Sequence, residues 1–73
     1  MRAELRYRID TEWLLEVVDY HDGGRVTGFS ESIEAKRGTE CAAAEERLRR
    51  AGRTVTSAWA QVEGGWDADV SGR

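Results

Sequence analysis

The chain has 73 residues, of which 40% are hydrophobic and 34% are charged, and its net charge is −3. A chain of this length predicts one domain, residues 1–73, with a small core. One cysteine and one histidine exclude an internal disulfide and a zinc site built from these residue types. The free thiol and the lack of a run of about 20 apolar residues predict a cytoplasmic protein with no membrane span.

The N-terminal segment, residues 2–10, reads RAELRYRID. Apolar side chains at Ala3, Leu5, Tyr7 and Ile9 alternate with charged ones. Alternation of this kind predicts a strand that is buried on one face and solvated on the other. The sequence leaves open whether the chain turns after this segment or continues as one long bent strand.

Residues 13–20, WLLEVVDY, are rich in β-branched and aromatic side chains, which predicts an inner strand. Asp22 and Gly23 then favour a tight hairpin. The return strand is expected over residues 25–35, and Gly28 within it predicts either a bulge or a close backbone approach. The later half of that strand, SESIEA, is also compatible with a helix.

A single helix is expected from Glu40 to about Ala51, with Thr39 as its N-cap and Gly52 as a left-handed residue at its C-terminal end. Its narrow apolar stripe consists of Cys41, Ala44, Leu48 and Ala51. These side chains are mostly small, so the helix axis is expected to lie close to a sheet.

Residues 54–62, TVTSAWAQV, predict another strand, and Gly64 with Gly65 predicts a two-residue hairpin loop. Residues 66–70, WDADV, alternate again. The expected order is therefore β-β-β-α-β-β, an α+β fold in which an antiparallel sheet of four to five strands carries one helix on one face.

Four arginines fall within residues 45–53, EERLRRAGR. Cations at a helix C-terminus complement the negative end of the helix dipole, and the spacing predicts the ion pairs Glu45–Arg49 and Glu46–Arg50. A dispersed and self-paired set neutralises phosphates poorly, so a role in helix stability and solubility is favoured. The alternative is nucleic-acid binding by the whole basic set: Arg2, Arg6, Arg8, Lys36, Arg37, Arg47, Arg49, Arg50 and Arg53.

Three tryptophans are many for this length, and aromatic residues dominate both cores and interface anchors. The small face of the 54–62 strand suits the helix, which would leave Trp59 on the far side of the sheet. Together with acidic side chains, exposed tryptophans would form a protein-binding patch, whereas packing within the monomer is the alternative. The predicted partner-binding residues are Trp59, Trp66, Glu12, Glu16, Asp19, Asp22, Asp67 and Asp69.

No catalytic constellation is recognisable. His21 lies beside Asp19 and Asp22 in a turn, and Cys41 lies on the apolar helix stripe, where free cysteine behaves as a small hydrophobic residue. We therefore predict a non-enzymatic protein that needs no cofactor or metal. A homodimer is also expected, formed through an open sheet edge or through the tryptophan face.

Residues 33–66, IEAKRGTECAAAEERLRRAGRTVTSAWAQVEGGW, contain a strand, a loop, an Ala-rich helix, a glycine, a strand and a GG hairpin. This pattern of residue types resembles small phage and mobile-element α/β proteins, including anti-CRISPR inhibitors. The resemblance implies an inhibitor that binds a host complex and occludes its nucleic-acid or partner site without catalysis. An acidic protein would suit a basic cleft. No individual residue role carries over from the pattern.

Overall fold

The computed structural model describes residues 1–72. Its elements are β1 (Arg2–Ile9), β2 (Glu12–His21), β3 (Gly24–Glu34), α1 (Glu40–Arg50), β4 (Arg53–Val55), β5 (Ala60–Val62) and β6 (Gly65–Gly72). The α+β class and the element order are confirmed. There is one strand more than the predicted four to five, because the segment expected as a single strand over residues 54–62 forms two short strands, β4 and β5. No helix in the described range is long and apolar enough to span a membrane.

The sheet is antiparallel, with strand order β3-β2-β1-β6-β4, and β5 pairs with β6 along the same side as β4. β1 therefore lies in the middle, between β2 and β6. The pairing of β1 with β6 joins the two ends of the chain, and it brings the alternating N-terminal segment into the centre of the molecule.

Two turns carry residues with positive φ. Asp10 has φ 55° and separates β1 from β2, so the chain turns there and does not continue as one long strand. Asp22 and Gly23 have φ values of 50° and 78°, and they form the predicted tight hairpin, whose central residues both require positive φ.

The last hairpin differs by one residue from the prediction. Val62 pairs with Gly65, so the loop consists of Glu63 and Gly64, and Gly64 has φ 81°. Gly65 belongs to β6, where a Cβ atom would overlap the carbonyl oxygen of Leu5. This glycine is therefore required by close approach of the β1 backbone and not by the turn.

β3 is extended along its whole length, including the half that could have been helical. Val17 pairs with Phe29 and Val18 with Thr27, which leaves Gly28 as the extra residue of a bulge, as predicted. The extra residue shifts the alternation of β3 by one position, so the side chains on both sides of the bulge still lie on the faces set by their partners in β2.

The core lies between one face of the sheet and α1. The largest of its fully buried side chains are Leu5, Leu15, Leu48, Val17 and Val18. All of these except Val18 belong to the cluster under the helix. Of the predicted helix stripe, Ala44 and Leu48 are buried, whereas Cys41 and Ala51 lie at its borders. The opposite side of the sheet, called here the open face, carries no helix.

The side of the β4–β5 segment that the helix covers is opposite to the predicted one. Val55 and Trp59 pack against the core cluster, whereas Ala58 and Ala60 are exposed. The strand breaks at residues 56–59, where the Ser57 hydroxyl accepts a hydrogen bond from the Asp69 N–H at 2.8 Å. The hydroxyl replaces a backbone carbonyl at this point, and large apolar rings bury more surface under the helix than alanines do.

The predicted side-chain cap at the N-terminus of α1 does not form. Thr39 occupies the N-cap position but makes no side-chain cap hydrogen bond, and its hydroxyl donates to the Lys36 carbonyl at 2.7 Å. The Glu40 carboxylate instead accepts from the Gly38 N–H at 2.7 Å. At the other end, Gly52 has φ 81°, which confirms the left-handed residue.

Candidate functional site

The arginines of the first strand lie on the open face and are paired there. Arg6 forms an ion pair with Asp67 at 2.8 Å, and Arg2 lies 3.4 Å from the carboxylate of Glu4. Arg8 lies 3.6 Å from Glu12. Each cation of β1 is therefore matched by a nearby acid and does not add to an uninterrupted basic surface.

The arginines of the helix end diverge. Arg47 pairs with Glu31 of β3 and its guanidinium lies 5.2 Å from the centre of the Phe29 ring. Arg49 and Arg50 both bind Glu46. Glu46 is thus shared, and the predicted Glu45–Arg49 pair is wrong.

Glu45 is occupied elsewhere, because it accepts a hydrogen bond from the Trp59 indole at 3.0 Å. Arg53 reaches the sulfur of Met1 at 3.3 Å. Lys36 and Arg37 precede α1 and lie at the opposite end of the helix from Arg50. The structure therefore does not gather the predicted nucleic-acid-binding residues on one surface.

The predicted tryptophan patch rimmed by acids is not one surface. Trp59 and Trp66 lie on the helix side of the sheet, half-buried, with their indoles bound to glutamates of α1. Asp67 and Asp69 alternate with Trp66 along β6 and point to the open face. The alternative interpretation, packing of these tryptophans within the monomer, describes the structure better.

The remaining predicted acids are spread over two regions. Glu12 and Glu16 lie on the open face, and Glu16 binds Arg25 at 3.0 Å. Asp19 binds the N-terminal amine at 3.3 Å. Asp22 is exposed in the β2–β3 turn. The structure brings Glu12, Glu16 and Asp67 to the open face, whereas Asp69 borders one surface cavity together with Asp19.

A charged network fills the middle of the open face around Glu4, which is only 8% exposed. Its carboxylate accepts hydrogen bonds from Arg25 and from the Tyr20 hydroxyl, both at 2.8 Å, and from Arg2 at 3.4 Å. Burial alone would raise the pKa of Glu4, but the hydrogen bonds from Arg25 and Tyr20 outweigh it and the pKa lies below its ordinary value.

A concave surface lined by aromatic side chains lies at one corner of the molecule and is called here the aromatic cleft. It has a volume of about 370 Å³ and is bordered by the end of β1, the N-terminus of α1 and the β5–β6 hairpin. Its lining residues are Tyr7, Asp10, Trp13, Arg37, Glu40, Gln61, Val62, Gly64, Gly65 and Trp66. Tyr7 is 49% exposed, and its ring meets Trp13 edge-on, with 5.5 Å between the ring centroids.

Glu40 forms a negatively charged wall of this cleft. It is 7% exposed, and its two carboxylate oxygens accept from the Gly38 N–H at 2.7 Å and the Trp66 indole at 3.1 Å. Burial would raise the pKa of Glu40, but hydrogen bonds from its own amide, from Gly38 and from Trp66 outweigh it, so the pKa is lowered. Within residues 1–72 no cation lies at ion-pair distance from this carboxylate.

Neither the buried Glu4 nor the aromatic cleft is expected from the sequence. Tyr7 was expected on the buried face of β1, and it does lie on that face, but α1 does not extend far enough to cover it. Glu4 was expected on a solvated face. Alternation along a strand shows on which face a side chain lies, but it does not show what covers that face. The sequence therefore contains no local pattern that predicts either the burial of Glu4 or the cleft.

The chemistry available elsewhere is limited. His21 lies 3.8 Å from Asp19 and is exposed. Burial, followed by the charges of Glu40 and Glu45, raises the pKa of the Cys41 thiol to about 11, which disfavours the reactive thiolate at neutral pH. In the part of the chain that the structure describes, no three His, Cys, Asp or Glu residues are grouped to hold a metal ion.

Comparison with known proteins adds no relative. No family model matches the sequence, and neither a curated protein nor a solved structure matches the chain.

Proposed function

We propose that this chain is a non-enzymatic module that binds a protein partner through the aromatic cleft. The observation that carries the proposal is the half-exposed Tyr7 ring beside Trp13 and Trp66 in a cavity of about 370 Å³. Aromatic side chains in a concave site are the usual anchors of protein interfaces, because they bury a large area with few rotatable bonds. This moves the proposed contact from the predicted tryptophan patch to a neighbouring surface.

The partner surface is proposed to be basic. The chain has a net charge of −3, and most of its arginines are already paired with its own acids. Such a protein is attracted to a positively charged cleft and repelled by nucleic acid. We propose that the chain acts in the cytoplasm as an inhibitor that occludes a basic nucleic-acid-binding cleft. This is the role implied by the resemblance to anti-CRISPR proteins.

The proposal is tested with a Tyr7→Ala variant. Affinity capture from a lysate of the source cells identifies partners, and binding is then measured with the purified partner at increasing ionic strength. Removal of the Tyr7 ring should weaken binding by about 2 kcal/mol, as expected for an aromatic anchor. Added salt should weaken binding of the wild-type chain.

The matched control is Val26→Ala, which shortens another exposed apolar side chain, 54% exposed, at the far end of the sheet. It should leave binding unchanged. Equal affinity of the wild type and Tyr7→Ala would overturn the proposal, and insensitivity to salt would remove its electrostatic part.

Nucleic-acid binding is the alternative and is decided separately. The cations that it needs are paired with acids and divided among several surfaces. A mobility-shift assay at low salt and micromolar protein should show no shift of DNA or RNA. A shift that weakens steeply with salt would favour the alternative instead.

A further inference from the structure

The two buried acids of this chain differ in how their charge is compensated, and the difference lies in the aromatic cleft. Glu4 has two guanidinium groups within 3.4 Å. Glu40 is buried to the same degree but receives hydrogen bonds only from neutral groups, the Gly38 amide and the Trp66 indole. Glu40 forms no ion pair within residues 1–72, and only the more distant charge of Arg37 acts on it. Its negative charge is therefore less completely offset than that of Glu4, and it attracts a cation that enters the cleft.

The other lining groups favour the same kind of ligand. Tyr7 and Trp66 line the cleft, and cations bind to the π-electron faces of such rings. Asp10 adds a second negative charge at the rim, whereas Arg37 adds one positive charge. The lining is therefore negative in sum, and Arg37 is the one group that opposes a cationic ligand.

We infer that the aromatic cleft binds an arginine side chain of the protein partner, with the guanidinium directed at Glu40 and held against the ring of Tyr7 or Trp66. Arginine fits better than lysine because its planar guanidinium both stacks on aromatic rings and donates hydrogen bonds to a carboxylate. The inference rests on the proposed function and specifies the chemistry of its ligand.

The probe is the peptide acetyl-Gly-Arg-Gly-amide, and its control contains citrulline, a neutral isostere, in place of arginine. NMR titration follows the indole N–H resonances of Trp13 and Trp66. The Trp59 indole, which lies outside the cleft lining and is bound to Glu45, serves as an internal reference. Saturable shifts at Trp66 with a Kd of about 1 mM are expected for the arginine peptide, and no saturable shifts for the citrulline peptide.

Two charge-neutralising variants should act in opposite directions. Glu40→Gln should weaken binding of the arginine peptide about fivefold, because it removes the attracting charge. Arg37→Gln should tighten binding by about two- to fivefold, because it removes the opposing charge. Arg37 is exposed and makes no hydrogen bond among residues 1–72, so its variant is expected to fold even if Glu40→Gln is destabilised.

Equal effects of both peptides, a Trp66 resonance that does not move, or a weaker affinity in Arg37→Gln would each overturn the inference. These outcomes are distinguishable from a failure of the proposed function. If the arginine peptide does not bind while Tyr7→Ala still abolishes capture of the partner, the protein-binding function stands and the arginine ligand is wrong.

Discussion

Among residues 1–72, Glu4 and Glu40 are the two charged residues that folding removes from water, with 8% and 7% of their surface exposed. In both, the ordinary effect of burial is to raise the pKa, and in both hydrogen bonds reverse it. Glu4 is held by Arg25, Arg2 and Tyr20 on the open face. The hydrogen bonds of both carboxylates therefore favour their ionised forms, and the stabilisation that they give to the folded state is lost when the carboxylates are protonated.

Replacement of Glu4 by glutamine, Glu4→Gln, measures how much the network stabilises the fold. The variant leaves the guanidinium of Arg25 without its closest anion, and we expect a loss of about 2 kcal/mol in the free energy of unfolding at neutral pH. Arg25 is partly exposed, with 41% of its side chain accessible, so water limits the loss. Urea unfolding followed by tryptophan fluorescence measures it.

The pH dependence follows from the direction of the shift. A pKa that is lower in the folded state than its ordinary value of 4.5 stabilises the fold above that pH, and the stabilisation is lost as pH falls through the folded pKa. Wild-type stability should therefore fall below about pH 4.5, and the fall should be shallower in Glu4→Gln. Glu12→Gln, which alters an exposed and longer ion pair, is the control. If Glu4→Gln and Glu12→Gln had the same free energy of unfolding and the same dependence of that energy on pH, the idea that the Glu4 network stabilises the fold would be wrong.

At the scale of elements, the arginines of α1 have two different tasks. Arg47 bridges to β3, where it binds Glu31 and lies over Phe29, and its side chain is 34% exposed. Arg49 and Arg50 bind only Glu46 of their own helix, and they are 71% and 72% exposed. The bridge holds the helix against β3, an edge strand of the sheet.

Replacement of these arginines by alanine should separate the two tasks. Arg47→Ala removes an ion pair, a cation–π contact and apolar stem contacts, and it should lower the free energy of unfolding by about 1–2 kcal/mol. Arg50→Ala should lower it by less than about 0.5 kcal/mol, as for an exposed pair within one helix. Chemical denaturation of both variants gives the comparison. Equal losses would mean that Arg47 does not fasten α1 to β3.

The elements themselves could be predicted because their signals are local. Alternation along β1, the Asp22-Gly23 turn and Gly52 after the helix each depend on neighbours in the chain. The strand order could not be predicted, since nothing in the alternation of β1 identifies β6 as its second partner. The alternation of side chains correctly places Trp59 and Ala60 on opposite faces. Which of these faces α1 covers is determined by packing across the whole sheet and is not visible in the local sequence.

The aromatic cleft was unpredictable for the same reason. It combines the end of β1, the start of α1 and the β5–β6 hairpin, and these segments meet only through the pairing of β1 with β6. The residues were recognised as aromatic or charged, but their meeting depends on contacts between distant parts of the chain. For the helix-end arginines, the angular positions on one helix predict the Glu46–Arg50 pair correctly. They do not predict that Glu45 binds Trp59 of a distant segment and leaves Arg49 to Glu46.

For the molecule as a whole, the sheet has two unequal edges. β3 runs over 11 residues at one edge, with β2 on one side and no strand on the other. The opposite edge is divided between β4 and β5, three residues each. A long edge strand offers unpaired N–H and C=O groups to a second chain, so β3 is the edge through which we propose that a homodimer forms.

Light scattering over a range of concentrations tests this dimer, and a dimer fraction that grows with concentration is expected. Ser32→Lys places a charge on β3 beside Glu12, which already accepts a hydrogen bond from Ser32, and lysine on an edge opposes pairing between strands. The dimer fraction should fall in this variant. Thr54→Lys, the same change on the exposed Thr54 of β4, should leave it unchanged. A monomer at every concentration would end the prediction, and an equal effect of both variants would assign the contact to net charge and not to β3.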